Sequence, residues 1–367
     1  MDIEVENAVK TAHDKLFKNN NKNYIFIYTP PKVGSTTLVS SLRVSLGTKF
    51  NVIHIHDEVM MQVLTGIKGV SINKLIEYIA NRGNNIWVID IYRLPIERKM
   101  SEFFEKLSDM HFNNSETNVI KYDIKRIILR FNELFPHLSN SDHYFDKYEI
   151  AVPPFDFQKK YSVQTCKRVK YIKLRLMDSN NWGNSLSEIM NTKIVILTDY
   201  KTADKSIGDF YNKFKQEYRL PINFFELITK CKYFNFYLNE SEKSAYLNLW
   251  KRKSALYFEP FTPAEYHLYI KISLENQVYD NVQHDHYIDN GCSCRACSLK
   301  RKEIYFKALK GEVINEKIIH NDEIKAVIAE GNKKIILEIT QKRKEHAEAR
   351  KFPKNHFNIN SYGQEHK

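Results

Sequence analysis

The chain has 367 residues, 43% of them hydrophobic and 13% aromatic, which is enough apolar material to bury a sizeable core. Its formal net charge of +12 and its pI near 9.2 imply an acidic partner: nucleic acid, an anionic membrane surface, an acidic glycan or a small, highly charged nucleotide. No stretch is apolar enough to span a bilayer, and residues 1–23 resemble neither a secretory signal nor a membrane anchor. We therefore expect a soluble, cytoplasmic protein.

Buried-strand runs alternate with amphipathic helical patterns along the first half of the chain. Asn51–His56 and Ile86–Ile91 read as strands, and Ser71–Arg82 between them reads as a helix that ends at Gly83. This alternation predicts an α/β fold with a central, mostly parallel sheet in a three-layer sandwich. The expected segments are a helical or flexible segment at 1–23, an α/β domain at 24–283, and a Cys/His-containing loop with a basic helical C-terminal extension at 284–367.

The first candidate site is the segment Tyr24–Leu46, which reads as a strand, a loop and a helix in direct succession. Gly34 lets the backbone approach a ligand closely, and Lys32 adds a mobile positive charge beside the start of the helix. Free backbone N–H groups and the helix dipole favour an anion at such a point. The predicted anion-binding residues are Lys32, Val33, Gly34, Ser35, Thr36 and Thr37.

This loop is not a nucleotide triphosphatase P-loop, because its lysine precedes the glycine and the first glycine of that motif is absent. Pro-Pro-Lys-Val-Gly-Ser-Thr-Thr at 30–37 instead resembles the 5′-phosphosulfate loop of sulfotransferases that use 3′-phosphoadenosine 5′-phosphosulfate (PAPS). The similarity is greatest to Golgi-type carbohydrate enzymes with a Lys-x-Gly-Ser/Thr core. It implies the P-loop-like sulfotransferase fold, PAPS as cofactor, and a catalytic Lys32 that neutralises the bridging oxygen as the phosphoadenosine leaves.

A second motif of the same superfamily follows the strand Ile86–Ile91. The run from Tyr92 to Phe104 resembles the 3′-phosphate motif Arg-Asp-Pro-x-x-Arg-x-x-Ser, which implies that Arg93 and Ser101 bind the 3′-phosphate. Pro95 suits the first position of a helix. Leu94 stands where the family has Asp, and a leucine cannot accept the N-cap hydrogen bond, a loss of about 0.5–2 kcal/mol.

The candidate general base is His56. His54 and His56 point to the same face of the predicted strand, and His56 is the nearer to its carboxyl end, where ligands collect in parallel sheets. The pair resembles the His-x-His of uronyl 2-O-sulfotransferases, in which the second histidine is the base. Asp57 and Glu58 are the competing bases.

The middle of the chain extends the resemblance. After His143 come HYFDKYEIAVPPFDFQKKYSV, then the strand-like YIKLRLMD at 171–178 and KIVILTDYK at 193–201. This order is similar to that of capsular polysaccharide sulfotransferase-like proteins, in which a Pro-Phe-Asp segment and an Arg-bearing strand follow the nucleotide motifs. The resemblance covers residues 24–255 and implies a carbohydrate hydroxyl as the acceptor.

The carboxyl third carries a separate cluster, in which His284-Asp285-His286 precedes Cys292, Cys294 and Cys297. Cysteines this close together indicate thiol or metal chemistry more than a disulfide framework. A tetrahedral zinc site could use them with one histidine. Cys-x-Cys-x-x-Cys is not a standard finger spacing, however, and we favour free thiols and predict no metal.

Together these features predict a PAPS-dependent sulfotransferase that acts on a hydroxyl, most plausibly of a carbohydrate. Two alternatives remain open. One is a nucleotide- or glycan-binding protein on a decayed sulfotransferase fold, which the departure at Leu94 favours. The other is a basic nucleic-acid-binding protein, which only the net charge of +12 favours.

Overall fold

A computed structural model describes residues 3–17, 22–112, 116–137, 150–151, 153–197 and 207–262. The predicted C-terminal extension at 284–367, with its cysteine cluster, lies outside the described residues, as do residues 143–149 and 152 of the aromatic run that begins at His143. Within the described ranges, no helix is both long enough and apolar enough to cross a membrane.

The described chain is an α/β structure. Its strands are β1 (Asn23–Tyr28), β2 (Phe50–Ile55), β3 (Ile86–Tyr92), β4 (Tyr161–Cys166), β5 (Val169–Arg175), β6 (Leu220–Pro221) and β7 (Ser254–Ala255). Its α-helices are α1 (Ile3–Leu16), α2 (Ser35–Leu46), α3 (Glu58–Thr65), α4 (Ile72–Asn81), α5 (Pro95–Glu105), α6 (Glu116–Val119), α7 (Ile124–Leu134), α8 (Trp182–Met190), α9 (Gly208–Glu217), α10 (Phe224–Thr229), α11 (Lys232–Tyr237) and α12 (Glu240–Arg252).

Five strands form the main sheet in the order β2-β1-β3-β5-β4. β1, β2, β3 and β5 run parallel, and β4 is an antiparallel edge strand. The carboxyl ends of the parallel strands therefore meet at one edge of the sheet. The chain passes from β1 to β2 on one side and then crosses to β3 on the other, so the β1/β3 crevice is the switch point where α/β sheets bind ligands.

Helices cover both faces of this sheet, which confirms the layered α/β prediction. Side chains alternate along β1, so Phe26 and Tyr28 face one helical layer while Ile25 and Ile27 face the other. α1, α3 and α4 pack on the first face, and α2 and α8 pack on the second. Residues 1–23 thus contribute a helix to the main core, through buried side chains such as Val9.

A third apolar cluster is built almost entirely from helices. α5 begins directly after β3, and its buried face packs with α7, α9 and α12 through rings such as Phe103, Phe131 and Phe214. This helical lobe starts at the carboxyl edge of the sheet, because Tyr92 at the end of β3 is part of it.

The start of α5 is capped from a distance. Leu94 makes no side-chain cap, as expected, and the helix begins at Pro95. The hydroxyl of Tyr246 on α12 accepts a hydrogen bond from the Ile96 amide at 3.2 Å and donates one to Glu97 Oε2 at 2.8 Å. Burial raises the pKa of Glu97, and the Tyr246 hydroxyl opposes that rise. Tyr246 therefore supplies at the start of α5 the hydrogen bond that the Leu94 side chain cannot make.

We expect Tyr246→Phe to lower the free energy of unfolding by about 1–3 kcal/mol, because a buried amide and a buried carboxyl each lose a partner. Urea denaturation measures the loss. Tyr257→Phe is the matched control, since that side chain is exposed and its loss should be close to neutral. Equal stabilities of the two variants would contradict the capping role.

Candidate functional site

The loop between β1 and α2 has a left-handed backbone at two positions. Lys32 has φ 66° and Gly34 has φ 89°, while Val33 between them has a negative φ. Such an alternation turns successive N–H groups toward one concave side, as in anion-binding nests. Gly34 is also required sterically, because a Cβ there would lie 2.8 Å from Leu176 Cδ1.

The N–H groups of Val33, Gly34, Ser35 and Thr36 have no acceptor among the described residues. Gly34 is the N-cap of α2 and supplies no side-chain cap, so the positive end of the helix dipole is open at this point. An anion would satisfy these donors. Thr37, the last residue of the predicted set, lies in the first turn of α2.

Two arginines of the second motif hold this loop. Arg93 Nη1 donates to the Lys32 carbonyl at 2.7 Å, and Arg98 Nε donates to the Pro31 carbonyl at 3.3 Å. Burial lowers the pKa of Arg93, but an arginine remains charged at neutral pH. The two sequence motifs, 61 residues apart at this contact, are thus brought together at the carboxyl ends of β1 and β3.

A small pocket lies at this switch point. Its lining includes Pro30, Val33, Arg93, Arg98 and Lys173. Three of its ten lining residues, Arg93, Arg98 and Lys173, are cationic and the other seven are uncharged. The three positive charges favour an anionic ligand. The cavity volume is about 20 Å³, room for about one water molecule, so a phosphate group would enter only after lining side chains move.

His56 follows the last residue of β2 and lies beside the loop. Its Nδ1 is 2.7 Å from the Thr29 carbonyl oxygen. A carbonyl only accepts, so Nδ1 carries the proton and Nε2 of the neutral ring is a lone-pair acceptor. No hydrogen-bond partner of Nε2 is present in the part of the chain that the structure describes. The ring is therefore held in the tautomer that a general base requires.

Burial lowers the pKa of His56, and the neighbouring charges act in both directions. Asp57 and Glu105 raise this pKa, and Lys32 lowers it. His56 is thus close enough to Lys32 for an electrostatic interaction between them. The ring of His54 stacks edge-on at 4.4 Å between centroids, and burial lowers the pKa of His54 to about 3, so His54 stays neutral and packs inside.

The competing bases both have structural partners. Asp57 is the N-cap of α3 and accepts from the Met60 amide at 2.7 Å. Glu58 accepts from the Tyr28 hydroxyl at 3.2 Å. These contacts give each carboxylate a role in the fold, whereas Nε2 of His56 has none among the described residues.

Ser101 is buried on the second turn of α5. No hydrogen bond joins it to Arg93 in the described structure, so the two residues expected at the 3′-phosphate are not in direct contact. Arg98, one turn earlier on the same helix, reaches the loop instead.

The later segments meet one another around Arg175. Arg175 at the end of β5 forms a bidentate pair with Glu242, at 2.7 and 3.0 Å, and a further ion pair with Asp178. The rings of Phe155 and Phe157, from the Pro-Phe-Asp segment, pack against its guanidinium. Each nitrogen of the Arg175 guanidinium donates a hydrogen bond within the protein, so the role of this arginine is structural.

Sequence reasoning missed two contacts of the site. Lys32 Nζ forms an ion pair with Glu105 Oε1 at 3.0 Å, and Lys173 lines the pocket while it pairs with buried Asp90 at 2.6 Å. The sequence offered one signal for Glu105: it is an acidic residue at the C-terminal end of a helix, where the helix dipole disfavours negative charge. No sequence pattern pointed to Lys173. Its partner Asp90 lies on a neighbouring strand, and the register between two strands is known only once the fold is known.

Neither protein-family models nor curated proteins give a match to this chain. Among the described residues, no group of three or more His, Cys, Asp or Glu side chains is placed to hold a metal ion. The site is therefore characterised by its own geometry: an open helix N-terminus, a lysine, two arginines and a histidine at the carboxyl edge of the sheet.

Proposed function

We propose that this chain is a sulfotransferase that transfers a sulfuryl group from PAPS to a hydroxyl of a carbohydrate, on a sulfotransferase fold. One observation carries the proposal: the Lys32 loop, Arg93 and His56 belong to three different strand ends, and the structure places them side by side. Each of the three matches a separate element of the sulfotransferase resemblance.

The donor set suits the charge of PAPS. The N–H groups of Val33 to Thr36, which lack acceptors among the described residues, and the ammonium of Lys32 suit the 5′-phosphosulfate. Arg93 and Arg98 supply positive charge for the 3′-phosphate, and Ser101 lies on the same helix as Arg98. The residues present therefore fit the nucleotide in charge and in donor type, with Arg98 added to the predicted set.

Bound PAPS supplies an activated sulfuryl group whose bridging oxygen gains negative charge as the bond breaks. Lys32 would supply positive charge for that oxygen, and the amides at the start of α2 would hold the neighbouring phosphate. His56 removes the acceptor proton at Nε2, and the Thr29 carbonyl stabilises the Nδ1–H on the other side of the ring. The protein's share of catalysis is then positioning, proton removal and charge stabilisation, as in phosphoryl transfer.

The product nucleotide tests the cofactor assignment. We expect 3′-phosphoadenosine 5′-phosphate (PAP) to raise the melting temperature more than adenosine 5′-phosphate at equal concentration, because only PAP presents a 3′-phosphate to the arginines. A ligand at a hundred times its Kd stabilises by about 2.7 kcal/mol, which is readily measured by thermal denaturation.

Arg93→Ala should remove most of the preference for PAP over adenosine 5′-phosphate. Arg219→Ala is the matched control: within the part of the chain that the structure describes, Arg219 bonds only to the carbonyls of the three residues before it, so the variant should leave the preference intact. If the two nucleotides raise the melting temperature of the wild-type protein equally, Arg93 does not bind a 3′-phosphate.

A nucleotide-binding protein without transferase activity is the second candidate, and the departure from the 3′-phosphate motif at Leu94, which supplies no side-chain cap, favours it. Transfer of radiolabelled sulfate from PAPS to a panel of glycans separates the two. Label in a glycan supports the transferase, and PAP binding with no transfer to any acceptor supports the binding protein.

A further inference from the structure

The ammonium of Lys32 has a carboxylate partner within the fold. Its Nζ lies 3.0 Å from Glu105 Oε1, and the two residues are 73 positions apart in the chain. The lysine side chain is 14% exposed and the glutamate side chain 41% exposed, so the pair lies at the rim of the site with the carboxylate on the solvent side.

Glu105 is unfavourably placed for its own helix. It is the last residue of α5, where the negative end of the helix dipole disfavours a carboxylate. Residues that are unfavourable for local stability often occur at functional sites. Glu105 is such a residue, and it faces a lysine of the candidate site.

Lys32 is also constrained. Its φ of 66° is a left-handed conformation that a residue with a Cβ adopts at a cost of about 1–3 kcal/mol, and the Arg93 hydrogen bond to its carbonyl helps to hold it. The constrained backbone and the ion pair together fix the position of the ammonium. Lys32 is therefore pre-positioned by two contacts, one of which a ligand can replace.

We infer that Glu105 is the exchange partner of Lys32: its carboxylate holds the ammonium in place until an anionic group of the nucleotide displaces it. This inference rests on the proposed function and names a positioning residue that the sulfotransferase motifs do not contain. The exchange is a change of ionic partner in which no covalent bond forms or breaks.

A competing carboxylate has a consequence for affinity. Any nucleotide that binds must first take Lys32 from Glu105, so the pair weakens the binding of substrate and product nucleotide alike. Part-exposed ion pairs are worth little, and the expected penalty is about two- to fivefold in Kd. The same competition assists release of the product nucleotide.

Glu105→Gln in the full chain tests this directly, with PAP as the probe in titration calorimetry. We expect the variant to bind PAP about two- to fivefold more tightly than the wild type, because the amide does not compete for the ammonium. Glu226→Gln is the matched control: it makes the same change in net charge by removing the glutamate of another exposed Lys–Glu pair, with Lys230 at 2.8 Å. PAP affinity should not change in this control.

A second measurement separates exchange from a merely structural effect. In a Lys32→Met background, Glu105→Gln should have no effect on PAP affinity, because the group for which the carboxylate competes is gone. Tightening that persists without Lys32, or that also appears in Glu226→Gln, would overturn the inference.

The outcomes also separate this inference from the function beneath it. Wild-type protein that binds PAP while Glu105→Gln binds it equally or more weakly overturns the exchange role and leaves the sulfotransferase proposal standing. Wild-type protein that does not bind PAP at any pH overturns both.

Discussion

We expect His56→Ala to lower turnover by about a hundredfold or more while PAP affinity stays nearly unchanged, because positioned proton transfer contributes about 10²–10⁴ in rate. The expectation follows from the Nδ1 contact with the Thr29 carbonyl, which leaves Nε2 as the acceptor. Steady-state sulfate transfer and titration with PAP measure the two quantities separately. Loss of nucleotide binding in this variant would show that His56 holds the loop and is not the base.

Two controls assign the base. Asp57→Asn keeps a good N-cap for α3 and Glu58→Gln keeps an acceptor for the Tyr28 hydroxyl, while each removes a carboxylate. Both variants should retain turnover. If either one abolishes it while His56→Ala does not, the base is a carboxylate and the His-x-His resemblance is misleading.

The pH profile of sulfate transfer by the wild-type protein would add an independent readout for the same residue. A histidine base works in its neutral form, and burial holds the pKa of His56 below its ordinary value of about 6.5. Turnover should therefore be constant through neutral pH and fall only as the pH drops below about 6.5. This acidic limb should be absent from the residual activity of His56→Ala.

Local patterns were enough to predict the parts of the fold that position the site. The strand Tyr24–Tyr28, the turn at Gly34 and the helix after it occur as the sequence indicates. Ser71 caps its helix through the Lys74 amide, and Pro95 begins the next. These features depend on residues within a few positions of one another, so hydrophobic periodicity and capping chemistry carry the information.

Contacts between distant residues were not predictable in the same way. The Tyr246 hydroxyl that replaces a helix cap is 150 residues from the amide it accepts. Glu105 meets Lys32 only because α5 begins beside the loop and runs back past it. Without the register of the strands and the path of the helices, neither pairing has a local signature. Leu94 makes no side-chain cap, as the sequence indicates, but nothing near it in the chain points to Tyr246.

The Asp90–Lys173 pair is another contact that only the fold creates, and its loss should be the largest single effect on stability. The two residues are register partners on β3 and β5, both almost fully buried, with Nζ 2.6 Å from Oδ2. Lys173 also lies 4.8 Å from the centre of the Tyr237 ring. We expect Asp90→Asn to lower the free energy of unfolding by about 3–5 kcal/mol, because it leaves a buried ammonium without its counter-charge.

Urea denaturation of a double-mutant cycle tests this expectation. Lys173→Met should be similarly costly, since it isolates the Asp90 carboxylate in the sheet. The double variant, Asp90→Asn with Lys173→Met, should lose far less than the sum of the single losses, because no buried charge remains. Glu226→Gln, which breaks an exposed pair, should cost less than about 1 kcal/mol. Additive single losses, or an Asp90→Asn loss as small as that of the exposed pair, would show that the buried charges are not coupled.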